Sequence, residues 1–201
     1  MLEWGTLVLG SLFIAELYGY FLHVLLHSYI FPSLSIGHMN HHISSYPPGK
    51  KMRSNKYIQN IKENDVLVFG LGLEWLVPSF IILVFTIFFE WIIGLSFLKI
   101  SISVSIILLY TIFLFWFLHE TLHIKNHPIL KIKIIKKWYI KARKMHDIHH
   151  HYVNEEGLMN RNYGIAFFLF DRVFGTYLPK LRGKFNKDGA AIAKKRLNKY
   201  I

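Results

Sequence analysis

Apolar residues dominate three long stretches of the chain, 4–26, 66–97 and 100–118. The first is interrupted only by Glu16, and the third has no charged residue. A bilayer crossing needs about 20 apolar residues in a helix, so each of these predicts one crossing. The second stretch has 32 residues and contains Glu74, Pro78 and Glu90. That is more than one crossing needs: its opening, up to Pro78, is expected in the interface or as a kinked extension, two short crossings being the alternative. The pattern therefore predicts an all-α integral membrane bundle of three to four spans. Residues 1–180 form the membrane domain, and 181–201 a basic tail, surface-exposed and partly ordered.

Composition agrees. Of the 201 residues 53% are apolar and 16% aromatic, yet the formal net charge is +12. The apolar runs are too long for a basic nucleic-acid-binding module. With no cysteine, disulfides, thiolate metal sites and cysteine nucleophiles are excluded. The N-terminus lacks the basic region of a cleavable signal peptide. Of 24 Lys and Arg residues only Lys99 falls between the second and third stretches; five lie in 50–62, eight in 125–144 and ten in 161–199. Basic loops stay cytoplasmic, which puts those three segments on the cytoplasmic side, the N-terminus outside, and 97–100 at a tight outer turn.

The histidines then stand out. "MHDIHHHY", residues 145–152, has four in eight positions, internal and interrupted, unlike a tag. The whole chain has 12, all at the cytoplasmic ends of spans or in the adjoining segments. "HVLLH" holds His23 and His27, and "HMNHH" holds His38, His41 and His42. "HETLH" holds His119 and His123, and "HDIHH" holds His146, His149 and His150. Residues three and four apart share a helix face, so each group can aim its imidazoles at one point. One such pair on an apolar helix is more often structural than metal-binding. Four groups in pair–triplet–pair–triplet order at one membrane face predict a metal site of ten ligands, enough for two metals with five imidazoles each. Imidazole suits iron, zinc, copper and nickel alike. His127, followed by Pro128, and His151, about 100° round the helix from His150, are expected outside the ligand set.

These boxes resemble the fatty acid hydroxylase superfamily of membrane di-iron enzymes, which includes sterol desaturases, fatty acid 2-hydroxylases and carotenoid hydroxylases. "NYGIAFFLFDRVFGTYL", 162–178, is similar to the closing segment of the fatty acid and sterol branch, and "PPGKKMRS", 47–54, to the loop after the first triplet. The likeness covers about 15–180. Three residues separate the first two histidines, as in sterol desaturases, whereas "HETLH" with Pro128 following looks more like fatty acid 2-hydroxylases. The Trp and Arg common around the first box of sterol enzymes are absent. The resemblance implies two iron ions (zinc as a substitute), dioxygen, a lipid substrate of fatty acyl, sterol or carotenoid type, and hydroxylation of a C–H bond. Desaturation is the alternative outcome of the same chemistry. No flavin, haem or dinucleotide-binding domain fits in the chain, so electrons are expected from an external cytochrome or ferredoxin on the basic face.

The remaining polar residues of the boxes, Asn40, Glu120 and Asp147, are candidates to orient imidazoles through their second nitrogens. Glu16, mid-span, should face the bundle interior. Asp171 and Arg172 are expected to pair and fix the last segment beneath the site, with Asn162 and Tyr163 closing the pocket. The competing class is a non-enzymatic membrane metal protein, such as a zinc transporter or sensor. Transport favours ionisable groups spread along the spans, whereas these histidines cluster at one face.

Overall fold

The computed structural model describes residues 2–50, 73–181 and 183–201. The start of the second apolar stretch (66–72) and nearly all of the basic segment 50–62 lie outside the described residues. Those described are helical, with no strand among them. In chain order they form α1 (Leu2–Ser28), α2 (Pro32–Asn40) running into a π-helical turn (His41–Ser45), and α3 (Leu73–Ile92). Then come α4 (Phe97–Ile112), which continues through a second π-helical turn (Phe113–Leu118) into α5 (His119–His123), and a 3₁₀ turn (Pro128–Lys131). The chain closes with α6 (Lys133–His151), α7 (Leu169–Val173) and α8 (Lys187–Leu197).

Two of these helices, Glu3–Ser28 and the continuous Phe97–His123, are long and apolar enough to cross a bilayer; the apolar run Val77–Ile92 is shorter. The turn between α3 and α4 falls at 93–96 rather than 97–100, so Lys99 sits in the first turn of α4 and pairs with Glu3 of α1. The two helices pack through small residues. Ser11, Ala15 and Gly19, four apart, share one face of α1; Ser11 and Ala15 are buried, and a β-carbon on Gly19 would lie 3.1 Å from the Phe115 ring. Such close approach and interhelical hydrogen bonds are how long apolar helices that could cross a bilayer hold together. Ser103 donates to Glu90 Oε1 at 2.5 Å and meets Ser11 at 2.8 Å; Tyr18 and Thr86 share a bond of 2.9 Å. Glu16 faces inward as its position requires, accepting from Tyr110 Oη at 2.6 Å. Leu9 and Leu109, 69% and 68% exposed, point outward from these helices.

Helix α6 is amphipathic. Its Tyr139, Ala142, Met145 and Ile148 join Leu118 and Leu122 at the end of the long helix, together with Ile165 and Phe168, in one core. Tyr139 Oη donates to the Thr121 carbonyl at 2.6 Å, and Trp138 Nε1 to the Ala166 carbonyl at 3.1 Å. This packing carries the far end of α6 beneath the ends of α1 and α5. The basic C-terminal segment does not hang free: Ala193 and Leu197 of α8 are buried against Met39, Ile43, Val153 and Met159, and Asn186 caps the helix by accepting from Gly189 N.

Candidate metal centre

Ten histidines from four separate pieces of chain meet at one end of the bundle, opposite the Glu3–Lys99 pair. His23, His27, His38, His42 and His149 form one group, all buried, with candidate ligand atoms within 4.8 Å of one another. His41, His119, His123 and His150 form a second on the same criterion. His146 joins the second group, its Nε2 3.0 Å from His123 Nε2. The groups adjoin: the rings of His42 and His150 stack at 3.9 Å.

Each triplet divides between the groups, and helical geometry says how. From the first histidine of H-x2-HH, the residue four on is turned about 40° one way and the residue three on about 60° the other. His38 and His42 therefore stay together while His41 crosses to the second group. His146 and His150 likewise stay together while His149 crosses to the first. Each group thus draws on both triplets, and neither is complete without α6. One π-helical turn contains His41 and His42 and the other ends just before His119; such turns concentrate at functional sites.

The imidazoles are oriented from behind. His23 Nδ1 donates to the Tyr163 carbonyl at 2.5 Å, and His149 Nδ1 to the Arg161 carbonyl at 2.7 Å. A carbonyl can only accept, so both rings carry their proton on Nδ1 and turn Nε2 lone pairs into the first group. The two carbonyls flank Asn162, which adopts φ +53°. Its side chain donates to Leu178 O and accepts from Leu178 N at 2.9 and 2.8 Å. Asp171 fixes the following turn, accepting from Tyr163 N (2.7 Å), Gly164 N (2.8 Å) and Thr176 Oγ1 (2.7 Å). The expected Asp171–Arg172 pair is replaced by these bonds, because two backbone N–H groups converge on the carboxylate, while the Arg172 guanidinium lies over the Tyr177 ring.

Glu120 Oε1 accepts from His119 Nδ1 at 3.1 Å, as an orienting residue should. Asn40 is exposed, and half-buried Asp147 acts electrostatically on His151. Neither His127 nor His151 is in a group. His127 caps the 3₁₀ turn, accepting from Ile129 N, and His151 lies against Phe185. Tyr46, which the sequence did not single out, stacks on His123 at 3.9 Å. It lies four residues after the HMNHH box's His42, but a lone tyrosine at that spacing is not a metal-ligand pattern.

Burial lowers the basicity of the site's imidazoles on α2, its π-helical turn and α6. His38, His42, His146 and His150 are held well below the usual imidazole value by desolvation, and then by neighbouring imidazoles. His41 is pushed down to about 3 and His149 to about 4. Neutral imidazoles crowded this closely lack enough N–H groups to satisfy one another. His38 Nε2 meets His27 Nε2 at 3.0 Å, and His149 Nε2 meets His42 Nε2 at 3.2 Å. Nε2 of His23, His41 and His119, and both ring nitrogens of His150, are buried with no hydrogen-bond partner. Inward-facing lone pairs without protons to receive are what a cation supplies a partner for. The residues fit metal ions.

The fatty acid hydroxylase family model matches residues 8–176. The chain belongs to the fatty acid hydroxylase family. No curated protein and no solved structure matched it. Membership makes the protein an oxidoreductase of the lipid hydroxylase and desaturase type, from a metal-dependent family. The hydroxylase match ends at Thr176, so it includes the turn at 161–164 and Asp171 behind the histidines.

Their lowered basicity makes the stability of the metal-free protein depend on pH. In the unfolded chain these histidines titrate near 6.5, whereas the fold keeps them neutral. The unfolded state binds more protons below that value, so stability present above about pH 6.5 is lost as pH falls, down to the folded values. Each imidazole kept neutral costs about 1.4 kcal/mol per pH unit. Thermal unfolding of chelator-treated protein should therefore move steeply to lower temperature below pH 6.5; a flat profile would contradict neutral burial.

Proposed function

We propose that the protein is a membrane-bound di-iron oxygenase that hydroxylates a C–H bond of a lipid, a fatty acyl chain, sterol or carotenoid, with dioxygen and two external electrons. Zinc is an expected substitute for iron on overexpression. The observation that carries the reading is the pair of buried imidazole groups at one end of apolar helices in a chain of this family. A bound iron pair would supply the dioxygen-dependent oxidant that side chains lack. The balance is one C–H bond and one dioxygen, with two electrons and two protons, giving one hydroxyl and one water.

The chain's own residues hold and shield. His23, His27, His38, His42 and His149 would ligate one metal, and His41, His119, His123, His146 and His150 the other. The carbonyls of Arg161 and Tyr163 and the Glu120 carboxylate keep His149, His23 and His119 turned inward. Tyr46, Phe115 and Tyr163 pack on the imidazoles and exclude water. A lipid chain reaching the centre from between the apolar helices would bring one carbon to the metals. Desaturation of a lipid by the same site is the alternative product. An acidic cytochrome or ferredoxin would deliver the electrons on the cytoplasmic side.

Purified protein is expected to carry about two metal ions per chain, and mass spectrometry of lipids from cells with and without the gene should show one species gaining an oxygen or losing two hydrogens. A fully loaded protein with one metal or fewer, or unchanged lipids, would overturn the proposal. Sidedness has its own test, since the native chain has no competing thiol. A cysteine introduced at Lys99 should be labelled by an impermeant reagent from outside, and one at Lys137 only after the membrane is opened. Labelling of position 99 from the cytoplasmic side alone would overturn the two-crossing hairpin and its outward turn.

A further inference from the structure

The structure leaves a belt of aromatic and aliphatic side chains uncovered outside the long apolar helices. It starts on α1, where Phe13 meets Phe170 edge-on at 5.1 Å and Phe21 meets Phe174 at 5.3 Å. Val173 and Phe167 continue it, 64% and 58% exposed. Phe167 touches Trp138 of α6 at 6.0 Å, and Ile134, one turn before Trp138, is 93% exposed. An isolated exposed apolar residue needs no explanation, but a continuous belt of this size marks an interaction surface.

Three observations say what covers it. The belt is continuous with the outward face of α1. Phe13 lies ten residues before His23, about 15 Å along the helix, so α7 reaches beside the apolar stretch itself. Part of the segment's backbone is bonded internally, which reduces the polar groups it would bring to lipid. Asp171 takes the N–H groups of Tyr163 and Gly164, and its own carbonyl accepts from Thr176 N and Tyr177 N. Finally, exposed lysines edge the belt on α6 and just before it: Lys131, Lys133, Lys137 and Lys141. Apolar side chains between long cationic ones are the pattern of a helix lying in the headgroup layer, with lysine stems on the apolar side and ammonium groups on phosphate. An acidic protein would pair the lysines but leave Ile134 and Val173 in water.

We propose that residues 164–174 and the Ile134/Trp138 face of α6 are embedded in the headgroup layer of the membrane, with anionic lipid headgroups bound by the flanking lysines. This rests on the reading that α1 and the Phe97–His123 helix cross the bilayer. Its value to the enzyme is positional: the segment that dips into the lipid begins at the Tyr163 carbonyl that orients His23. The second membrane contact thus holds the roof of the metal centre against the surface from which substrate comes.

The test uses the full chain in phosphatidylcholine vesicles, with and without phosphatidylglycerol. Four single-cysteine variants carry spin labels: Ile134→Cys, Val173→Cys, Leu109→Cys on the long helix, and Lys195→Cys on α8. Labels at 109, 134 and 173 should collide more with dissolved oxygen than with a water-soluble nickel chelate, and the label at 195 the reverse. Phosphatidylglycerol should raise the oxygen preference at 134, and Lys133→Gln with Lys137→Gln should abolish that rise. A lipid-like label at 109 beside water-like labels at 134 and 173 overturns the belt alone, and leaves an acidic protein as the lysines' partner. A water-like label at 109 overturns the crossing and the belt with it. Indifference to phosphatidylglycerol overturns the anionic-headgroup assignment.

Discussion

Replacing His149 or His150 by alanine is expected to abolish turnover, while replacing His151, the next residue, should leave most of it. All three sit in one run at the end of α6, so composition does not separate them. Direction does: His149 points into the first imidazole group and His150 into the second, whereas His151 leans on Phe185. Loss of an orienting partner one step removed from a metal costs about 10–100-fold, and loss of a ligand should exceed that. Metal analysis sharpens the prediction. His149→Ala should release the metal held by the α1 pair, and His41→Ala the metal held by His119 and His123, each crossing the order in the chain. If His149→Ala and His150→Ala perturb the same metal, the division of the triplets is wrong.

The second large effect is expected at Asp171, which touches no imidazole. Asp171→Ala removes the acceptor for two backbone N–H groups and the Thr176 hydroxyl. Each buried group left unsatisfied costs about 1–3 kcal/mol, and the freed turn no longer aims the Tyr163 carbonyl at His23. Activity should fall about 10–100-fold, with weaker binding of the first-group metal specifically. Asp171→Asn, which keeps one carbonyl oxygen in place, should recover part of the loss. Gly164→Ala should resemble Asp171→Ala, because its β-carbon would lie 2.7 Å from Asp171 Oδ2. A purely structural role would lower the unfolding temperature without changing the spectroscopic signature of one metal relative to the other.

The all-helical bundle, two of its apolar helices and the gathering of ten histidines were legible in the chain itself. Apolar runs near the bilayer length admit few structures, because backbone groups in lipid must bond within their own segment. The spacing of three and four is likewise a local property of the helix, so His23 with His27 and His119 with His123 could be paired without a structure. Helix α8 was less legible: a lysine-rich segment with few large apolar residues buries Gly189, Ala193 and Leu197, too little apolar side chain to register as periodicity.

What the sequence by itself determined, then, is which imidazoles are available and which face of a helix each one shares. The partner of each triplet, the orienting carbonyls of Arg161 and Tyr163, and the Tyr46 ring over His123 were decided only by the tertiary structure. The reason is physical. A carbonyl has no residue type to read, and a left-handed Asn162 aims two of them only because Met145, Leu178 and Asp171 surround it. His41 and His149 change groups because α6 packs across the ends of α1 and α5, and that crossing depends on contacts between Tyr139, Trp138, Thr121 and Ala166 that lie far apart along the chain.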